Sequence, residues 1–311
     1  MSLRDDAPVT AELRPTFLVI GAAKAGTTTV FRHLDAHPDV FASPVKEPRF
    51  FALEGAPPDH PGRFPDTVTE WDDYLRLYDG ARPDQARGEA STLYLHAAGV
   101  IPRVQARIPD ARLVAILRHP VDAVWSRYQM VRRLNRVTDS LEDLVSADPD
   151  EPASDLVPDH PGTYLVRSCR YHVHLARWWA AFPPEQLLVL LHEDLVDDPG
   201  GTMARIYRHI GVDPTLPAGL DLGARHNAGG SPRSAGLYRF LYRPGPVAQV
   251  AHRLGRRIPG GRRVRQAVER SNERPSLAMS AELRGVLLGR FRADDDALEA
   301  ALDRDLGAWR R

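Results

Sequence analysis

One lysine and three threonines around a glycine turn are the first residues here whose types and spacing suggest chemistry. Lys24 lies inside the turn Gly21–Gly26, and Thr27, Thr28 and Thr29 follow at once. Backbone N–H groups in such a turn, the unpaired donors of a helix's first turn and the helix dipole together make an anion site. Ala23, Lys24, Ala25, Gly26, Thr27, Thr28 and Thr29 are therefore read as contacts to a phosphate-type group. A nucleotide triphosphatase loop has the pattern G-x-x-x-x-G-K-[ST], with the lysine after the second glycine. Gly21 and Gly26 keep that spacing, but Thr27 stands at the lysine position. A degenerate loop of that kind, or a glycine-rich turn in some other α/β protein, stays as the competing reading. Plain helix capping is the alternative for one or more of the threonines.

A second set lies at Arg118-His119-Pro120, where the apolar run RLVAIL ends. In a phosphotransferase of the P-loop kind this strand usually ends in an aspartate that helps hold magnesium. An arginine at the carboxyl edge of a parallel sheet can instead grip an anion with its guanidinium fork. Ser126, eight residues on, falls in the second turn of the next helix and offers a hydroxyl. An ion pair for Arg118 and a plain surface position for Ser126 are the bland alternatives. Taken with the Gly21 turn, the two describe a ligand with two separated phosphate groups and no metal. His33, His37, His96, His119, His172, His174 and His192 show no metal-ligand spacing.

The elements that must position these groups follow from periodicity. Phe17–Ile20 is apolar throughout and reads as a buried strand, and Val30, Phe31 and Leu34 group on one face of the helix after the turn. Pro44 and Pro48 exclude regular helix or central strand from FASPVKEPRFFALEG, which is read as a loop. A short helix is expected over Trp71–Tyr78, a strand over Ala86–Ser91 and a helix over Ala97–Ile108. Arg112–Leu117 is a strand apolar enough for burial on both faces, and Pro120 suits the first turn of the helix after it. A loop over 148–162, a long helix over Thr163–Phe182, a strand over Gln186–Leu191 and a helix over Gly201–Ile210 continue the alternation. Beyond a Gly/Pro-rich loop at 212–236 and an arginine-rich helical stretch at 239–274, a helical pair, Ala281–Phe291 and Asp294–Leu302, ends the chain. Strands alternating with helices predict an α/β fold: a P-loop-like doubly wound parallel sheet flanked by helices, with an additional C-terminal helical segment.

Composition narrows the class. The 311 residues are 43% hydrophobic and 26% charged, enough apolar content to bury a substantial core. They are read as a single domain over 1–311, with 1–15 as a flexible N-terminus. Lys+Arg and Asp+Glu both total 41, so overall charge gives no argument for nucleic acid or a membrane surface. Cys169 is the single cysteine, which rules out an intramolecular disulfide and a thiolate cluster. No apolar signal core or membrane-length run is present, and a cytoplasmic location is expected. The 239–274 stretch is either a solvated helix face or a lid over an acidic ligand.

The chain resembles the PAPS-dependent sulfotransferases, closest to their bacterial and heparan-sulfate-type branch. GAAKAGTT is similar to the family's 5′-phosphosulfate loop, with Ala25 where glycine is common, and LRHPVDAVWSRY to its 3′-phosphate motif. KEPRFF, GEASTLYL, the long-helix-to-HEDLVDDP stretch and NAGGSPRS resemble further family segments. The resemblance implies PAPS (3′-phosphoadenylyl sulfate) as sulfuryl donor, 3′,5′-ADP as product and no required metal. It puts Arg118, Ser126 and Arg233 on the 3′-phosphate and Lys24 on the leaving 5′-phosphate. It places the general base at Glu47, with His96 as reserve candidate. Phe50 and Phe51 should raise the basicity of Glu47 while Lys46 and Arg49 lower it, and a purely structural pairing of Glu47 with either cation is the alternative. Cys169 and Gly229 depart from the family's usual glycine and serine. The acceptor, a small molecule, glycan or lipid offering a hydroxyl or amine, is not readable.

Two other functions compete. A P-loop kinase of small molecules needs lysine at position 27 and aspartate after RLVAIL, and has neither. A non-catalytic nucleotide- or polyanion-binding module could use the 239–274 arginines, but overall neutrality and the pair Lys24 and Glu47 argue against it.

Overall fold

A computed structural model describes residues 13–133, 137–149, 164–217 and 278–311, with the backbone of 231–232 and 273–274. Its centre is β1 (Phe17–Gly21), five residues without an exposed side chain. Around it lie β2 (Val40–Ala42), β3 (Ala86–Ala90), β4 (Arg112–Leu117) and β5 (Leu187–Leu191), in the order β2-β3-β1-β4-β5 and all parallel. Leu113 to Leu117 are fully buried, as the continuous apolar run requires of an inner parallel strand. Each such Leu, Ile or Val contributes about 1.5–3 kcal/mol by leaving water. β1 and β3 come unusually close: a Cβ at Gly88 would lie 2.3 Å from the Phe17 carbonyl oxygen, so only glycine fits there.

Helices flank the sheet in two packed groups. One comprises α1 (Thr27–Asp35), α8 (His192–Asp197) and α9 (Pro199–His209). The other comprises α2 (Phe50–Leu53), α4 (Val100–Arg107), α5 (Pro120–Arg133), α7 (Tyr171–Ala181) and α10 (Ala281–Leu302). Two short helices, α3 (Trp71–Arg76) and α6 (Leu141–Ala147), fill connections. A two-residue pair, β6 (Ser231–Pro232) with β7 (Glu273–Arg274), runs antiparallel, and β6 lies beside α5. No helix among the described residues is long and apolar enough to cross a membrane.

Several boundaries differ from the sequence expectation. The helix expected from Thr163 starts at Tyr171, after a 3-10 turn at Arg167–Cys169. Its start is set from far away, because Asp294 on α10 accepts hydrogen bonds from the His172 and Val173 amides at 3.1 and 3.2 Å. Conversely, the expected terminal pair is one helix: Asp294 and Asp295 are buried inside α10 rather than starting a second one. A helical turn, α2, follows Pro48 directly, and β2 and α8 were not foreseen. Arg233 and most of 239–274 lie outside the described residues, as do the N-terminal residues 1–12.

Candidate active site

β1 delivers the chain into the turn 22–26, and two left-handed residues shape that turn. Lys24 has φ 69° and Gly26 φ 94°. A Cβ on Gly26 would also lie 2.8 Å from Leu195 Cδ2, so this glycine is required twice over. Ala25 is not left-handed, so an alanine fits where the family commonly has glycine, and it is buried. Three contacts from the ends of β4 and β5 hold the turn. The Ala22 amide donates to Ile116 O at 2.6 Å, Arg118 Nη1 donates to Lys24 O at 3.1 Å, and His192 Nδ1 meets Ala25 O at 3.2 Å. Ala23, Lys24, Ala25, Gly26, Thr27, Thr28 and Thr29 therefore form one turn-to-helix unit at the carboxyl edge of the sheet.

The α1 start is unneutralised. Gly26 has no side chain to cap it, and the first turn holds no acid. That leaves the positive end of the dipole facing the turn. Around Lys24 the charge is of the same sign: Arg133, Arg118 and Lys46 all act on it, and only Glu47 opposes them. Burial first, and then those cations, push its ammonium down to about 8. Among the described residues, the side chains of Lys24 and Arg133 make no hydrogen bond or ion pair, and Arg133 Nε is buried without a partner. Arg133 escaped the sequence reading because an arginine at the last turn of an amphipathic helix looks like a solvated one. Arg118 stands at the end of β4 as expected and spends one nitrogen on the turn; Ser126 is half-buried in the second turn of α5.

A second loop brings Glu47 towards this group. Glu47 (φ 61°) and Arg49 (φ 58°) are both left-handed, so with Lys24 they account for three of the four non-glycine residues of that kind among the described residues. Such backbone costs on the order of 1–3 kcal/mol per residue and collects where position matters more than stability. Lys46 Nζ donates to Glu47 Oε1 at 3.0 Å and Arg49 Nη2 to Oε2 at 2.6 Å, while Arg49 also lies over the Phe64 ring. Burial would raise the Glu47 carboxyl, but Lys46 and Arg49 outweigh it and hold it below the usual carboxylate range. A quarter of the Glu47 side chain stays exposed. The pairing offered as the bland reading is therefore present, alongside a charge contact with Lys24.

His96 sits elsewhere. It is buried with its Nε2 unpartnered, and its ring lies 5.6 Å from Tyr164 and 5.7 Å from His174. Burial, then Arg127, His174 and Arg177, hold its imidazole well below the usual range, so it is neutral. None of Lys24, Glu47 or Arg118 is among its charged neighbours. Cys169 is likewise a packed core thiol, raised to about 11 chiefly by burial.

Residues 81–215 match the sulfotransferase family, a span that holds β3, Arg118 and Ser126 and leaves out Lys24 and Glu47. A solved sulfotransferase from Alicyclobacillus acidocaldarius superposes with a TM-score of 0.68 at 29% identity, covering 96% of this chain and 99% of that one. Sequence and structure alike make the chain similar to the sulfotransferase family. Among curated relatives, human bifunctional heparan sulfate N-deacetylase/N-sulfotransferase 3 is 30% identical over 217 residues, 66% of this chain. The aligned part is 23% of that relative's length. Human heparan sulfate glucosamine 3-O-sulfotransferase 6 is 27% identical over 198 residues, 64% of this chain and 52% of its own.

Proposed function

We propose that this protein transfers a sulfuryl group from PAPS to a hydroxyl or amine of an acceptor, with Lys24 and Glu47 as its catalytic residues. The observation that carries the reading is the group of like charges at the turn 22–26. Lys24, Arg118 and Arg133 converge beside an uncapped helix start with no acid but Glu47 to offset them. Half-buried cations crowded together are costly to keep unless an anion completes them. A nucleotide product with two separated phosphates suits that group: Lys24 and the turn amides at one end, Arg118 and Ser126 at the other. β4 ends at Leu117 and is followed by Arg118, where phosphoryl transfer would call for a metal-holding aspartate, so the kinase reading is not favoured.

PAPS supplies an activated sulfuryl group. Lys24 and the turn amides stabilise the charge that builds on the departing phosphate, the same preorganised electrostatics that serves an oxyanion. Glu47, ionised and held by Lys46 and Arg49, accepts the acceptor's proton as attack proceeds. The glycan relatives make a glycan acceptor the first to screen, with small molecules and lipids after it. The test is incubation with radiolabelled PAPS and that acceptor set, alongside thermal melting with 3′,5′-ADP in EDTA. Label should pass to an acceptor, and 3′,5′-ADP at a hundred times its Kd should add roughly 2.7 kcal/mol of stability. Stabilisation by ATP–magnesium alone, with none by 3′,5′-ADP, would overturn the reading.

A further inference from the structure

Beneath the Glu47 loop lies a second carboxyl that this mechanism does not use. Glu89 sits on β3, paired in register with Leu18 of β1, and is fully buried. Tyr74 OH donates to its Oε1 at 3.4 Å. Tyr78 and Tyr94 also act on it, and burial keeps all three phenols protonated far above neutrality. Their rings belong to one aromatic cluster: Phe50 stacks on Tyr74 at 4.6 Å, and Phe51 meets Tyr94 edge-on at 5.6 Å.

The loop that carries Glu47 is strapped to the residues on either side of Glu89. The Ser43 amide donates to Gly88 O at 2.9 Å and the Glu47 amide to Ala90 O at 3.1 Å. The Arg49 amide donates to Ser91 Oγ at 3.1 Å and the Phe51 amide to Tyr94 OH at 3.3 Å. Four straps thus fall on residues 88, 90, 91 and 94. A hydrophobic residue at position 89 would serve a purely structural strand better, since a buried carboxyl costs free energy that apolar packing avoids.

We propose that Glu89 is a positioning residue for Glu47: a buried carboxyl, ringed by Tyr74, Tyr78 and Tyr94, that places a switchable charge beneath the loop carrying the base. The proposal rests on the reading of Glu47 as that base. Burial raises the Glu89 carboxyl to about 7, with Oε2 left without a hydrogen-bond partner; the nearby Tyr94, Ser91 and Tyr74 hydroxyls oppose the rise, and the Glu47 charge adds to it. Below that pH Glu89 is neutral. Above it a second negative charge appears beside Glu47 and offsets the pull of Lys46, Arg49 and Lys24, making Glu47 the stronger base. The two carboxyls therefore titrate as a coupled pair.

The test is carboxyl-carbon NMR on protein labelled at the glutamate side chains, with the Glu47→Gln and Glu89→Gln variants assigning the two signals. In the unmodified protein the Glu47 signal should move in two steps, the second at the pH where Glu89 ionises. Glu89→Gln should leave only the first. At saturating PAPS, turnover should rise about threefold between pH 6 and 8 and become flat in Glu89→Gln, with 3′,5′-ADP affinity unchanged. If Glu89→Gln does not fold, Tyr74→Phe replaces it: it removes a donor that favours ionised Glu89, so the second step should move to higher pH. A Glu47 titration identical with and without these changes overturns the proposal and leaves sulfuryl transfer standing. Near-normal turnover in Glu47→Gln instead overturns the base assignment itself.

Discussion

Two loops meet at the carboxyl edge of this sheet, and they treat charge in opposite ways. The turn 22–26 gathers Lys24, Arg118 and Arg133 with no side-chain partner among the described residues for Lys24 or Arg133. The loop 43–51 gives Glu47 two cationic partners, at 3.0 and 2.6 Å. A group of like charges is held ready for a ligand that brings the opposite sign. A paired charge is held ready to be used in place. Both loops accept left-handed backbone at the residue that matters, so both trade local stability for position.

The sharpest way to break this contrast is Glu47→Gln, which keeps shape and removes the proposed base. Turnover should fall by roughly 10²–10⁴-fold while the melting temperature and 3′,5′-ADP affinity hold. A comparable loss of 3′,5′-ADP affinity would show that Glu47 belongs to the ligand group after all. Next in size is Arg118→Ala. Losing one charge-assisted contact should weaken 3′,5′-ADP by about 1.5–3 kcal/mol and AMP much less, as read by calorimetry. Equal weakening of both would reduce Arg118 to a strut for the turn, a role it also fills through Lys24 O.

The smallest effect concerns Lys24, whose ammonium is lowered to about 8 by burial and then by Arg133. Above that pH the free protein loses the charge, so 3′,5′-ADP affinity should decline as pH rises through about 8. The stability linkage has the opposite sense. The folded state binds fewer protons than the unfolded chain between about 8 and the ordinary lysine value of 10.5, so this group's penalty is full below 8 and eases as pH rises. Arg133→Ala should move the affinity decline to higher pH, with an affinity loss of only about two- to fivefold. No movement would mean that Arg133 does not face Lys24.

What the sequence made legible was set by local signals. Arg112–Leu117 is found where the apolar run placed it, because a strand buried on both faces has no other way to be written. The turn 22–26 was legible for the same reason: glycine spacing records backbone geometry directly. What it hid was tertiary. α7 begins at Tyr171 because a carboxylate on α10 caps it, which no window around residue 171 contains. The contest between burial and cations at Glu47 could not be decided from neighbours alone; the distances to Lys46 and Arg49 decide it. Arg133 lies in no quoted motif and GEASTLYL gives Glu89 no role, so only packing reveals one facing a lysine and the other lying beneath a loop.

The strand order has a consequence for how the protein is made. β1 lies between β3 and β4, and its contacts reach far along the chain: Thr16 bonds to Arg87, 71 residues on, and Lys24 to Arg118, 94 residues on. At ribosomal rates of about 5–20 residues per second, the interval between Lys24 and Arg118 takes roughly 5–20 s to synthesise. For most of that time β1 has neither neighbour, since β3 ends only at Ala90 and β4 starts at Arg112, and the turn has no tether. Closing so long a loop is entropically slow, so the turn 22–26 takes shape only when β4 arrives. A nascent chain stalled before residue 112 therefore leaves the β4 side of an apolar strand open, and a chaperone that covers Phe17–Gly21 over that interval protects the fold and the turn beside it.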